Sequence, residues 1–200
     1  MFRLLIFISF CLIAFLLPIK EDRATVFIIG DSTAANKLTT AYPETGWGMP
    51  FTYFFDNTIE VNNLAKNGRS TRTFLSEGLW DTALSTMKKG DYVFIQFGHN
   101  DESKEKVDRY TTPDQYTENL TKFVSEARAK EANPVLITPV SRRKFKDGKA
   151  LETHKEYAPL VKMVAAKLNV PLIDLDEKSR ELYQQFGEEN SKLLFLQLQP

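Results

Sequence analysis

The chain is poor in the residues that staple or metallate small proteins. It has one cysteine and two histidines in 200 residues, no net charge, and one long apolar run. A single cysteine forbids an intramolecular disulfide and any zinc site of the CxxC type. Lys+Arg and Asp+Glu both count 26, which argues against binding driven by phosphate neutralisation and so against a nucleic-acid partner. Hydrophobic residues at 42% and charged residues at 26% are globular values, and the length suits one α/β domain.

The apolar run is Leu4–Leu17, broken only by Ser9 and preceded by Arg3. Fourteen residues are too few for a comfortable bilayer span and suit the apolar region of a signal peptide. Residues 1–20 are therefore expected to be a signal peptide or, if uncleaved, an N-terminal anchor, the only membrane contact foreseen. Residues 21–200 form the domain. Removing the first twenty residues takes away Arg3, Lys20 and Cys11 and no acid, leaving 24 basic against 26 acidic residues. A cysteine-free, mildly acidic remainder suits a secreted or periplasmic location.

From Thr25 onward, strand-like and helix-like segments alternate. Thr25–Ile29, Ile59–Leu64, Asp91–Phe97, Pro134–Thr138 and Val170–Asp174 read as five buried strands. Thr112-Pro-Asp-Gln115 is a capping box with proline at the first helical position, and Tyr116, Leu120, Phe123, Val124 and Ala127 keep one apolar face. Tyr157 to Leu168 and Gly78 to Met87 read as two further helices. This alternation predicts a three-layer α/β/α domain around a parallel five-stranded sheet, with ligands beyond the carboxyl ends of the strands. Polar clusters lie at those ends: Gly30-Asp31-Ser32, Asn67-Gly68-Arg69-Ser70, Gly98-His99-Asn100-Asp101 and Ser141-Arg142-Arg143.

Singly, each cluster reads as a cap or a turn. Together they match what a serine nucleophile needs: a hydroxyl exposed at a strand-to-helix turn and several N–H donors converging where an oxyanion develops. The backbone N–H groups of Ser32 and Gly68 and the side-chain amide of Asn100 would be those donors.

With these blocks in order, the sequence resembles the SGNH (GDSL) hydrolase superfamily, and within it the rhamnogalacturonan acetylesterase-like carbohydrate esterases. Gly30-Asp31-Ser32-Thr33, Asn67–Arg72 and Gln96–Asp101 match its first three blocks; Gly46-Trp47-Gly48, Thr138–Arg143 and Val170–Leu175 resemble the acetylesterase branch. The resemblance implies a flavodoxin-like fold, Ser32 as nucleophile, and Ser32, Gly68 and Asn100 as the oxyanion hole. It implies no metal and no organic cofactor. The substrate it implies is an acetylated polysaccharide or oligosaccharide of the plant cell wall. Trp47, His99, Arg142 and Arg143 are candidate substrate contacts: Trp47 as a platform for a sugar ring, the arginines as partners of carboxylates.

The family's fourth block, Asp-x-x-His, is missing. The residues three before His99 and His154 are Gln96 and Leu151. The expectation is a C-terminally truncated chain lacking the last helix, inactive or weakly active, with part of one sheet face uncovered. His99 is expected to line the site without acting as base, His154 to be a solvated surface residue, Asp31 to fix its turn, and Asp174 to be structural. Two alternatives remain: a non-catalytic carbohydrate-binding remnant, and a lipid or thioester acylhydrolase, which an apolar acyl pocket would favour.

Overall fold

The computed structural model describes residues 23–196. The Leu4–Leu17 run, Cys11 and the last four residues, with the expectations attached to them, lie outside the described residues.

Each apolar run becomes a strand because its side chains alternate between two buried faces. β1 is Ala24–Gly30, β2 Ile59–Asn63, β3 Tyr92–Gln96 and β4 Asn133–Ile137. A small hairpin of β5 (Phe145–Lys146) and β6 (Lys149–Ala150) follows, and then β7 (Leu172–Ile173). The main sheet runs β2-β1-β3-β4-β7, every pair parallel. It is the three-layer α/β fold that the alternation predicted, with the flavodoxin-like order in which the chain leaves β1 one way and returns on its other side.

On one face Phe27 and Ile29 of β1, Val93 and Ile95 of β3 and Leu136 of β4 join a single core cluster. It is closed by four helices: α2 (Thr71–Ser76), α3 (Leu79–Thr86), α4 (Pro113–Ala129) and α5 (Tyr157–Leu168). Trp80 and Phe123 meet there edge to face, their centroids 4.9 Å apart. The opposite face carries Phe94, which packs on Phe51 of α1 (Gly48–Phe51) at 5.6 Å. Beside this contact lies an open apolar groove of about 400 Å³, lined by Phe51, Phe54, Phe94, Ile137 and Ile173.

The structure adds elements that the sequence pattern did not announce. α6 (Leu175–Asn190) buries Asp176, Ser179 and Tyr183 and leaves Leu182 and Phe186 exposed, so its buried face is mostly polar. α2 precedes the expected Gly78–Met87 helix and is set by the capping box between Ser70 and Thr73. Asp91 stands outside β3: its carboxylate is buried and accepts the Thr25 and Lys88 N–H groups at 2.8 and 2.9 Å.

Candidate active site

The reversal of strand order between β1 and β3 opens a crevice beyond their carboxyl ends. A cavity of about 850 Å³ sits in it, and its wall includes Ser32, Trp47, His99, Arg142 and Arg143, with Ser179 and Tyr183 from α6. Five of the residues singled out in the sequence thus meet around one space. Gly68 and Asn100 are not on that wall. They stand at the neighbouring strand ends, tied to the Ser32 turn through hydrogen bonds.

The ties explain the local sequence. Asp31 is buried, and its Oδ1 accepts the Thr33 N–H at 2.9 Å and the Thr33 hydroxyl at 2.7 Å, so it fixes the turn that presents Ser32. Its Oδ2 faces Nδ1 of His99 at 3.6 Å, and neither atom has a hydrogen-bond partner. Burial pushes the Asp31 carboxyl up, but His99 and the Thr33 bonds outweigh it and hold it below the ordinary value. Lys37 donates to the Ser32 carbonyl at 2.6 Å and to Asn67 Oδ1 at 2.9 Å, and pairs with Glu44 at 3.0 Å, which joins the loops after β1 and β2. Asn100 donates one amide hydrogen to the Arg69 carbonyl at 2.9 Å, leaving its second N–H unused by that bond. Asp101 accepts the Thr71 N–H at 2.9 Å and the Thr71 hydroxyl at 2.6 Å. The loops after β2 and β3 are therefore joined twice.

Trp47 both anchors its loop and lines the cavity. Its Nε1 donates to Gln96 Oε1 at 2.8 Å, and its N–H bonds the Thr33 carbonyl at 2.9 Å. The preceding Gly46 is required by contact, since a Cβ there would stand 2.2 Å from the Ala35 carbonyl oxygen. The two arginines are less free than a ligand role alone would suggest. Arg142 pairs with Glu102 and reaches the His99 carbonyl at 3.4 Å. Arg143 bonds Ser191 Oγ at 2.9 Å and the Glu188 carbonyl, and lies over the Phe145 ring. Asp174 caps α6, accepts the Thr138 hydroxyl at 3.0 Å and pairs with Lys162, a structural set of contacts.

One expectation is overturned. His154 is not a solvated surface residue: it is fully buried, 3.1 Å from Glu102 Oε2 and 3.0 Å from the Val140 carbonyl oxygen. Its flanking residues Glu152, Lys155 and Glu156 are exposed, which is why the local charge pattern misleads. Its partners stand 52 and 14 residues away, and so do not show in a local pattern. Glu102 and Lys37 went unnoticed for the same reason.

Ser32 Oγ makes no hydrogen bond among the described residues, and no three His, Cys, Asp or Glu side chains among them stand together as a metal-holding group. What the arrangement offers is a hydroxyl on a cavity wall, amide donors at adjacent strand ends, and a cationic rim. A profile of GDSL-like lipase/acylhydrolases matches residues 28–195.

The chain belongs to the GDSL-like lipase/acylhydrolase family.

Similar members include the rhamnogalacturonan acetylesterase RhgT of Bacillus subtilis, 41% identical over 176 residues, which are 88% of this chain and 75% of that one. A probable rhamnogalacturonan acetylesterase of the same organism, YesY, is 38% identical over 86% of this chain and 79% of its own. Among solved structures, the Bacillus subtilis protein YxiM superposes with a TM-score of 0.79 at 25% identity. That match covers 87% of this chain and 49% of the other, so this chain spans about half the length of YxiM. The acetylxylan esterase Axe2 of Geobacillus stearothermophilus has the same fold, with a TM-score of 0.61 at 19% identity over 80% of each chain.

Proposed function

We propose that the domain is built for serine-dependent removal of acetyl groups from plant cell-wall polysaccharide, rhamnogalacturonan above all. The observation that carries this is Ser32 on the wall of an open cavity at the strand-order reversal, held there by the Asp31 turn. The identity to rhamnogalacturonan acetylesterases supports the substrate class. In this reading Ser32 Oγ attacks the acetyl carbonyl carbon while the Ser32 and Gly68 N–H groups and Asn100 Nδ2 hold the oxyanion. Collapse breaks the ester bond, the sugar oxygen leaves with a proton, and water then frees acetate from the acetyl-serine. Trp47, His99, Arg142 and Arg143 face the polysaccharide. No cofactor enters. Export, read from the Leu4–Leu17 run, belongs to the same proposal.

No Asp-x-x-His occurs in these 200 residues. Loss of triad members costs on the order of 10⁴–10⁶ in turnover, so turnover supported by these residues alone is expected to be slight. The test is hydrolysis of p-nitrophenyl acetate and acetylated pectin beside Ser32→Ala. Slow release that vanishes in Ser32→Ala supports the reading. Release untouched by the substitution overturns it. Binding of acetylated pectin with no Ser32-dependent release points to a carbohydrate-binding remnant.

A lipid or thioester acylhydrolase is favoured by one observation: the apolar groove shares Trp47, Val140 and Leu175 with the cavity. A preference for octanoyl over acetyl esters selects that reading.

A further inference from the structure

The hydrogen-bond partners of His154 favour one protonation state over the others. The Val140 carbonyl oxygen, 3.0 Å from Nε2, can only accept. On the other side of the ring, Nδ1 stands 3.1 Å from Glu102 Oε2. Glu102 uses its second oxygen to pair with the Arg142 guanidinium, an arrangement that favours the ionised carboxylate. Burial pushes the Glu102 carboxyl up, but His154 and Arg142 outweigh it and hold it below the ordinary value. A carboxylate is acceptor-only. A neutral ring could take a hydrogen bond from Arg142, whose Nη1 is 3.4 Å from Nδ1, but its lone pair would then face the nearer carboxylate oxygen.

We propose that His154 is held as an imidazolium that positions the wall of the Ser32 cavity, through Glu102 and Arg142 on one side and His99 on the other.

The positions of the partners carry the functional consequence. Glu102 follows β3 two residues after Asn100, and Val140 and Arg142 follow β4. The ring therefore pins together the loops that end two adjacent strands. Its edge meets His99, with centroids 4.5 Å apart, and His99 in turn presents Nδ1 to Asp31, the neighbour of Ser32. The charged groups facing His154 are Glu102 and Arg142 at contact, His99 at its edge and Asp176 from α6, whose carboxyl burial raises. A buried cation at this position balances the Glu102 carboxylate. His154 is thus a positioning residue, acting through His99 and Arg142. Its functional meaning rests on the esterase reading of the cavity.

The experiment is a ring-nitrogen NMR titration of the full chain labelled with ¹⁵N-histidine, with no substrate present. Both His154 nitrogens are expected to be protonated at pH 7, and Glu102→Gln is expected to lower the His154 midpoint by about one unit or more. A merely space-filling ring would show no such dependence on the Glu102 charge. A neutral His154 at pH 7 overturns the proposal. A His154 midpoint that does not fall in a folded Glu102→Gln also overturns it. None of these readouts depends on turnover, so the outcome stays separate from the Ser32→Ala test.

Discussion

Gly68 holds its backbone at φ +77°, a region costing a residue with a Cβ roughly 1–2 kcal/mol. The Cβ of alanine would also stand 3.2 Å from the Arg109 guanidinium. Gly68→Ala is therefore expected to lower stability by about that amount, read from the midpoint of a urea melt. Asn100 makes a different prediction. Its amide joins the loop after β2 and, in the proposed mechanism, donates to the oxyanion. Asn100→Ala should reduce Ser32-dependent turnover by about 10²–10³ with little change in KM; an unchanged kcat removes it from the oxyanion hole. These residues were legible because their signals are local: a glycine in a polar turn, a serine just after a strand. Asp31 was read as a turn-former for the same reason. His154, Glu102 and Lys37 were not, because their roles arise from neighbours that only the sheet brings together.

Among elements, α4 was legible end to end. Thr112 accepts the Gln115 N–H, Pro113 opens the helix, and five apolar residues at helical spacing face the core. α6 was missed although Leu175, Leu182, Tyr183 and Phe186 recur at helical spacing; its buried face bonds Ser141, where Ser179 accepts the N–H at 2.9 Å and Tyr183 donates to the carbonyl at 3.0 Å. β7 pairs over only two residues of the Val170–Asp174 run, since Asp174 turns to cap the next helix. The two capping boxes allow a comparison. Thr112 is exposed and Ser70 fully buried. Thr112→Ala should cost about 0.5–1 kcal/mol and Ser70→Ala about 1–2 kcal/mol, because the second leaves the Thr73 N–H without its acceptor at a cap closed off from water. Urea melts of the two variants check the order; equal losses would mean that burial does not strengthen this cap.

At the scale of the molecule, strand–helix alternation was enough to give the layers and the sheet edge at which the candidate site lies, because parallel strands need crossovers and these have one hand. It could not show which charges the fold would bury, and Asp101 is the clearest case. Its carboxyl lies fully inside, Oδ1 bonded to Thr71 and Oδ2 without a partner, and burial pushes its pKa up to about 7. The folded state then binds a proton more tightly than the unfolded chain, whose aspartate titrates near the ordinary value of about 3.9. The stabilisation from this group is complete below about pH 4 and is lost as pH rises through about 7, at a slope of up to about 1.4 kcal/mol per pH unit. Asp31 and Glu102, with lowered values, lose their contributions only as pH falls below the ordinary carboxylate range, so they do not mask the interval from pH 5 to 7. Asp176 is also raised and adds a slope of the same sign, so a variant must isolate the Asp101 part. Asp101→Asn keeps an acceptor for Thr71 and removes the charge. It should match the parent near pH 4.5 and become progressively more stable than the parent toward pH 8. Urea melts at unit intervals of pH measure this difference, and two parallel stability curves would show that Asp101 is ionised in the folded protein across the whole range.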